Sequence, residues 1–142
     1  MNGRRGVSTP ARLDKLAVMD DDLGARILLL VVMTAAGVLL IWVAHAAASG
    51  RIKRNPIAGI RTAATMESDQ AWLAAHVRAK PATVRAGIAA IVSGLAALPP
   101  LPTPVSAAVV VVGCAVVLAF ALHGARIGSR AARNATHDAS GR

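Results

Sequence analysis

The sequence predicts an all-α integral membrane protein with three transmembrane helices and a short turn-helix loop on the cytoplasmic side. Of the 142 residues, 55% are hydrophobic but only 2% are aromatic, so the apolar residues are mainly Ala, Val, Leu and Ile. Residues 27–50 and 86–125 contain no Asp, Glu, Lys or Arg, and a spanning helix needs only about 20 apolar residues. Four prolines within residues 98–104 divide the second stretch, because proline cannot continue a helix. We therefore predict spans at residues 27–48, 83–100 and 105–125.

Two other interpretations of these apolar stretches fit the sequence less well. A soluble protein would have to bury helices that are apolar all round, and a chain of this length is too short to cover three of them. Residues 46–48 match the small-residue pattern of a signal-peptide cleavage site. The apolar run before them is longer than the roughly 7–15 residues of a signal core, however, and a short basic region is expected where four aspartates stand. We expect an uncleaved first span.

The spans and the polar segments divide the chain into a membrane domain and two tails. Residues 1–26 combine Gly, Arg, Ser, Pro and Asp with few large apolar side chains, which predicts a flexible N-terminal tail. Residues 27–125 form one membrane domain that contains a polar loop at residues 49–82. Residues 126–142 form a basic C-terminal tail with the charge to lie against anionic lipid headgroups.

The distribution of Lys and Arg predicts the orientation of the chain in the membrane. Five of these residues precede Ile27, seven lie between Ser49 and Ala86, none lies in the Pro-rich turn, and four follow Ala125. Cytoplasmic segments collect such residues. With three spans, the polar loop and the C-terminal tail share one side. We expect a multi-pass protein of the inner, or plasma, membrane with its N-terminus outside and with the loop and the C-terminus in the cytoplasm.

The polar loop has the sequence of a turn followed by a helix. Gly59 permits a sharp turn, and either Thr65 or Ser68 can cap a helix through its hydroxyl group. Acidic residues near that cap suit the positive end of the helix dipole. The helix would carry three residues on one face that can lie on the membrane surface, and these are Asp69, Trp72 and His76. Asp69 and His76 are also spaced to form a pair.

Arg61 is the one cation of the loop that stands away from the membrane edges. A guanidinium group beside hydroxyls and a helix N-terminus can bind a lipid phosphate or a peptide carboxylate. The residues that would form such an anion site are Arg61, Thr62, Thr65 and Ser68. In the alternative, purely structural interpretation, Arg61 and Asn55 only bind loop carbonyls, and Trp72 wedges the helix into the interface. The sequence leaves both interpretations open.

The order and spacing of the loop residues resemble the signature of the SdpI-like family of small bacterial membrane proteins. The residues that carry this resemblance are Arg54, Asn55, Gly59, Ile60, Arg61, Thr62, Thr65, Ser68, Trp72 and His76. The family is named for an immunity protein that guards its producer against a secreted peptide. The resemblance therefore implies tolerance of a membrane-active toxin peptide by non-catalytic binding, with the loop residues contacting the ligand or partner. It also implies an alternative, in which the protein holds a cytoplasmic regulator at the membrane.

Other functional classes lack their characteristic residues. Paired carboxylates, an activated nucleophile and a cofactor motif are not recognisable, so we expect neither an enzyme nor a cofactor. His45 and His123 can meet at the cytoplasmic ends of their spans, but with the distant Cys114 they make no metal signature. The pI near 11.7 reflects cations at the membrane edges rather than a nucleic-acid surface. A transporter or channel subunit would place charged residues within the spans, which hold only Arg85.

Small residues in the spans offer places where helices can approach closely. Ala90 and Gly94 stand four apart in the second span, and Gly37 and Gly113 lie in the other two. An Ala-rich composition also generates such spacings by chance. Three Ala-rich helices enclose little interior, which favours a homo-oligomer, and membrane lipids are the remaining expected partner.

Overall fold

The computed structural model describes the backbone of residues 10–140 and the side chains of residues 23–139. This part of the chain is all-helical. The helices are α1 (Pro10–Ala48), α2 (Ala63–Met66), α3 (Asp69–Ala96) and α4 (Thr103–Ser140). The prediction of an all-α protein is therefore confirmed for the described residues.

The three long helices lie side by side with α3 in the middle. Both α1 and α4 pack along α3, whereas within residues 10–140 the backbones of α1 and α4 do not come within contact distance of each other. Gly37 of α1 lies against Gly87 of α3, and Gly124 of α4 lies against Ala82. Later residues of α3 contact earlier residues of α1 and α4, so each outer helix is antiparallel to α3. The central helix is shielded on two sides, and the outer helices are not.

Small residues allow α3 to occupy the central position. At the crossing with α1 the two backbones touch, because a Cβ atom on Gly37 would lie 2.5 Å from the carbonyl oxygen of Gly87, and one on Gly87 would lie 2.6 Å from that of Gly37. Gly113 packs equally closely on the side chain of Ser93. The close approaches expected at Gly37 and Gly113 are thus present. The buried small residues of α3 are Ala71, Ala75, Ala79, Ala82, Ala86, Gly87, Ala90 and Gly94.

The outer helices turn large apolar side chains outward. Leu28 and Val38 of α1 are 64% and 55% exposed, and Val111 and Leu118 of α4 are 67% and 57% exposed. A contiguous apolar surface of this kind is unfavourable in water and suits the hydrocarbon core of a bilayer. Two helical segments, Leu23–Ala48 and Thr103–Ala139, are long and apolar enough to cross a membrane.

The helix α3 differs from the prediction for this region. The helix predicted within the polar loop and the span predicted at residues 83–100 are one continuous helix that ends at Ala96. Pro81 lies inside it on an exposed face. The helix continues through this position although proline cannot make the hydrogen bond, because packing against α1 and α4 stabilises it on two sides. With Arg78, Lys80 and Arg85 close to its middle, α3 is not among the segments that qualify as spans on apolar character alone.

The outer helices also extend into the segments predicted as tails. Pro10 begins α1 within residues 1–26, where proline is favoured at the first helical position. The helix α4 continues past residue 125 to Ser140. Ser129 and Ala132 of this extension are buried at 8% and 0% exposure. The basic C-terminal segment therefore packs on the rest of the protein. Its small residues, Ala, Gly and Ser, fit closely against α3 and against the residues that connect α1 to α3.

Candidate functional site

The connection between α1 and α3, residues 49–68, folds as a compact polar cap on the N-terminal end of α3. Asn55 organises its first turn. The Asn55 Oδ1 atom accepts the backbone N–H groups of Ile57 and Ala58 at 2.9 and 2.8 Å, and its Nδ2 group donates to the carbonyl of Lys53 at 2.8 Å. An Asn side chain that bonds its own backbone in this way fixes a turn without regular secondary structure. Asn55 therefore hydrogen-bonds to the loop backbone, as the structural interpretation of the loop predicted.

Gly59 makes the second turn, at a φ of +102°. L-residues with side chains rarely adopt this backbone conformation. A Cβ atom here would overlap the Nε2 atom of His76 and lie 2.9 Å from the Cη2 atom of Trp72. The turn therefore requires glycine for both its backbone angle and its packing.

The side chains of Trp72 and His76 extend from α3 and hydrogen-bond to the connection. The Nε1 group of Trp72 donates to the carbonyl of Ile52 at 3.0 Å, and the Nε2 atom of His76 accepts the N–H of Ile60 at 3.0 Å. The two rings are stacked at a tilt, with centroids 4.1 Å apart. Trp72 is 2% exposed and His76 is 5% exposed. The prediction that these side chains lie on the membrane surface is wrong, since the connection folds over them.

The hydrogen bonds of His76 define its protonation. Because Nε2 accepts a hydrogen bond, the proton must be on Nδ1, which donates to the carbonyl of Trp72 at 2.8 Å. Burial lowers the pKa of His76, and the bond to the Trp72 carbonyl offsets this only in part. His76 is therefore a neutral structural residue at neutral pH. It does not pair with Asp69, whose Oδ1 atom instead lies 3.4 Å from the Nε atom of Arg54.

Hydroxyl groups cap both helices that follow the turn. Thr62 and Thr65 form a reciprocal capping box around α2, and the hydroxyl of Thr65 also donates to the carbonyl of Ile60 at 2.7 Å. Ser68 caps α3 by accepting the N–H of Ala71 at 3.0 Å. Arg54 joins the two helices by donating to the carbonyls of Met66 and Glu67 at 2.7 and 3.1 Å.

The expected anion site is not assembled as a single pocket. Thr65 is fully buried and, like Thr62 and Ser68, directs its hydroxyl to the backbone. Arg61 is exposed and donates to the carbonyl of Pro56. The structure brings Thr62 and Thr65 together, but it keeps Arg61 on the outside of the connection. The described contacts thus assign structural roles to these four residues.

A family model described as the SdpI/YfhL protein family matches residues 51–123, which is just over half of the chain. The chain belongs to the SdpI/YfhL protein family. The match begins where α1 ends, and it covers the connection, all of α3 and most of the apolar part of α4. No curated protein and no solved structure matches the chain.

The cap of this SdpI/YfhL protein is completed by residues that the sequence did not single out. In the C-terminal part of α4, the hydroxyl of Ser129 lies 3.4 Å from that of Thr62, and Thr136 donates to Glu67 at 3.2 Å. A Cβ atom on Gly128 would lie 2.9 Å from the carbonyl oxygen of Ala75. The one signal for this packing is that Gly124 and Gly128 stand four residues apart, as small residues at a helix interface do.

Residues 23–139 of this SdpI/YfhL protein contain no group of three or more His, Cys, Asp or Glu side chains that could hold a metal ion. His45 and His123, for which the sequence allowed a contact, lie on α1 and α4, whose backbones do not approach each other. Every buried side-chain nitrogen or oxygen atom in the described part of the chain has a hydrogen-bond partner. The buried polar side chains of the cap therefore all have hydrogen-bond partners within the protein.

Proposed function

We propose that this SdpI/YfhL-family protein crosses the bacterial cell membrane three times and contributes to tolerance of a membrane-active peptide by non-catalytic binding. The observation that carries the proposal is a cleft at the end of the molecule opposite the cap. The helix α3 ends at Ala96, and beyond it α1 and α4 border a cavity of about 450 Å³. Its walls include Leu29 of α1, Leu101 of the turn, and Val110 of α4.

Three crossings are supported by the length and arrangement of the helices. The 28 residues of α3 extend about 42 Å, which exceeds the hydrocarbon thickness of about 30 Å. Because α1 and α4 both pack along α3, a membrane that contains the two outer helices also contains α3. The distribution of Lys and Arg favours a cytoplasmic location for the cap and the C-terminal end of α4. The cleft then opens toward the outside, where a secreted peptide arrives.

The chemistry of the cleft suits the apolar part of such a peptide. Its walls are mainly Ala, Leu and Val side chains, and Arg26, Thr103 and Ser106 supply polar groups. An apolar cavity with a few polar groups is the usual form of a binding site for a small amphipathic ligand. Binding here would hold the peptide beside the protein without a chemical step.

The alternative of holding a cytoplasmic regulator depended on a face formed by Asp69, Trp72 and His76. Trp72 and His76 are buried beneath the connection, so that face is not offered to a partner. The outward cleft therefore supports tolerance more directly than regulation.

The test is survival of a strain that lacks this protein, exposed to a panel of membrane-active peptides and complemented with variants at equal membrane levels. Wild type is expected to raise survival against at least one peptide. Ala107→Trp fills the cleft, since Ala107 lines it, and is expected to abolish protection. Ala108→Trp is the matched control, because Ala108 is also exposed on α4 but does not line the cleft. Equal protection by both variants, or none by wild type, would refute the proposal.

A further inference from the structure

Trp42 separates two cavities of opposite character on the α1–α3 side of the molecule. One, of about 350 Å³, lies at the C-terminal end of α1 and is lined by Trp42, His45, Ser49, Arg51 and Lys80. The other, of about 790 Å³, is an apolar groove along α1 that includes Leu30, Val38, Leu39 and Leu95 of α3. Trp42 lines both cavities and is 59% exposed. A charged cavity and an apolar groove therefore adjoin at one side chain.

The lining of the first cavity contains two cationic side chains and no acidic one. Arg51 follows α1 and Lys80 belongs to α3, so two separate elements bring their cations to the same cavity. Within the described part of the chain, neither cation makes a hydrogen bond or an ion pair with the protein. His45 uses its Nδ1 atom on the carbonyl of Ile41 at 2.9 Å, which leaves its Nε2 atom for another group. These groups suit a phosphate.

The second cavity has the length and surface of a lipid tail. From Leu30 to Trp42 the helix rises about 18 Å, which is close to half of a hydrocarbon core of about 30 Å. The residues that line this groove are apolar apart from Thr34. Trp42 lies where the groove meets the cations, and tryptophan favours this level of a bilayer.

We propose that the α1–α3 face binds an anionic phospholipid of the cytoplasmic leaflet. Its phosphate lies between Arg51 and Lys80, and one acyl chain follows the groove past Trp42 to Leu30. Charge complementarity selects an anionic headgroup over a zwitterionic one, and the groove selects a lipid over a free phosphate. The headgroup end of this site lies at the opposite end of α1 from the proposed peptide cleft, whereas the groove ends at Leu30, next to Leu29 of that cleft. The two sites share no lining residue, so either can exist without the other. The site requires that α1 crosses the membrane with its C-terminal end in the cytoplasm, as in the proposed function.

The two tryptophans of the chain allow a direct test, because Trp42 is exposed and Trp72 is buried. The full protein is reconstituted in phosphatidylcholine vesicles that contain a small fraction of phosphatidylglycerol with brominated acyl chains, which quench tryptophan fluorescence on contact. Brominated phosphatidylglycerol is expected to quench at a several-fold lower fraction than brominated phosphatidylcholine. Trp42→Phe retains only Trp72 and should lose this difference.

Variants of the cations identify the headgroup site. Arg51→Gln and Lys80→Gln are each expected to weaken the preference for phosphatidylglycerol by roughly fivefold, the usual effect of one cation near an anionic surface. Lys53→Gln is the matched control, since Lys53 is an exposed cation close to the same membrane edge that does not line the cavity. An equal loss in Lys53→Gln would show general surface charge and overturn the assignment.

Two further outcomes would also overturn it. Equal quenching by the two brominated lipids in wild type would mean that the groove holds only surrounding lipid without headgroup selection. Soluble glycerol phosphate, added in excess at constant ionic strength, lacks acyl chains and is expected to leave the preference intact. Complete loss of the preference with glycerol phosphate would reveal a simple anion site with no role for the groove.

Discussion

The imidazole of His76 accepts the backbone N–H of Ile60, so a side chain in α3 holds a turn that precedes it by 16 residues. This bond needs a neutral ring. A protonated His76 has no acceptor at Nε2 and would leave the Ile60 N–H without its partner. The connection between α1 and α3 is thereby made sensitive to acid.

Stability is expected to fall as the pH is lowered through the histidine range. The pKa of His76 is lowered from 6.5 in the folded protein, so the unfolded chain binds its proton more readily. The contribution of His76 is fully present above pH 6.5 and is lost as the pH falls from there through the lower folded pKa. Thermal unfolding in detergent at pH 7.5 and below 6 measures this difference. His76→Gln should show a lower midpoint at pH 7.5 and a smaller decline with acid. An unchanged decline would assign the effect to another group.

Gly59→Ala is expected to destabilise the protein by about 1–3 kcal/mol, because the new methyl group meets His76 and Trp72 in a strained backbone region. Gly50→Ala is the control. Gly50 also has a positive φ, of 73°, but a Cβ atom there has nothing within 4 Å. That variant should cost about 1 kcal/mol from the backbone alone. Chemical denaturation of the two variants in the same detergent compares them. Equal losses would contradict the packing of Gly59 against the rings.

Gly37→Ala is expected to weaken the contact between α1 and α3 by about 1–3 kcal/mol, since the backbones of Gly37 and Gly87 already touch. Gly24→Ala tests helix propensity on the same helix, because a Cβ atom at Gly24 has nothing within 4 Å. It should be neutral or stabilising by up to about 1 kcal/mol. Resistance of the folded protein to increasing fractions of a denaturing detergent would distinguish them. A similar response of both variants would place the helix crossing elsewhere.

Three crossings predict which positions a membrane-impermeant thiol reagent can reach. In a Cys114→Ser background, Pro100→Cys in the turn between α3 and α4 should react in intact cells. Ile57→Cys, at a position that is 84% exposed in the connection, should react only after the membrane is opened. Labelling of both positions in intact cells would exclude the proposed topology, and the reverse pattern would invert it.

The sequence predicted those features that depend on local composition. Uninterrupted apolar residues identified the membrane-compatible parts of α1 and α4. Capping chemistry indicated Thr65 or Ser68 as the start of the next helix, and Ser68 is the residue that caps α3. The small residues Gly37 and Gly113 also indicated close helix contacts correctly.

The remaining features depend on contacts between distant parts of the chain. Trp72 and His76 can be buried because each finds a hydrogen-bond partner, the carbonyl of Ile52 and the N–H of Ile60. No local sequence pattern predicts such partners. The basic segment after Ala125 was predicted to be a tail that lies against anionic lipid headgroups, because it is charged. It is packed because Ser129 and Ala132 present small side chains to the connection and α3, which only the tertiary arrangement shows.

The position of Ser129 and Ala132 has a consequence for biogenesis. Synthesis proceeds from the N-terminus, so α3 and the connection leave the ribosome well before the part of α4 that covers them. During that interval Thr62 and the small residues near Ala75 lack their covering helix. A nascent chain that stalls before Ser129 therefore leaves the cap open, and packing of the C-terminal part of α4 closes it.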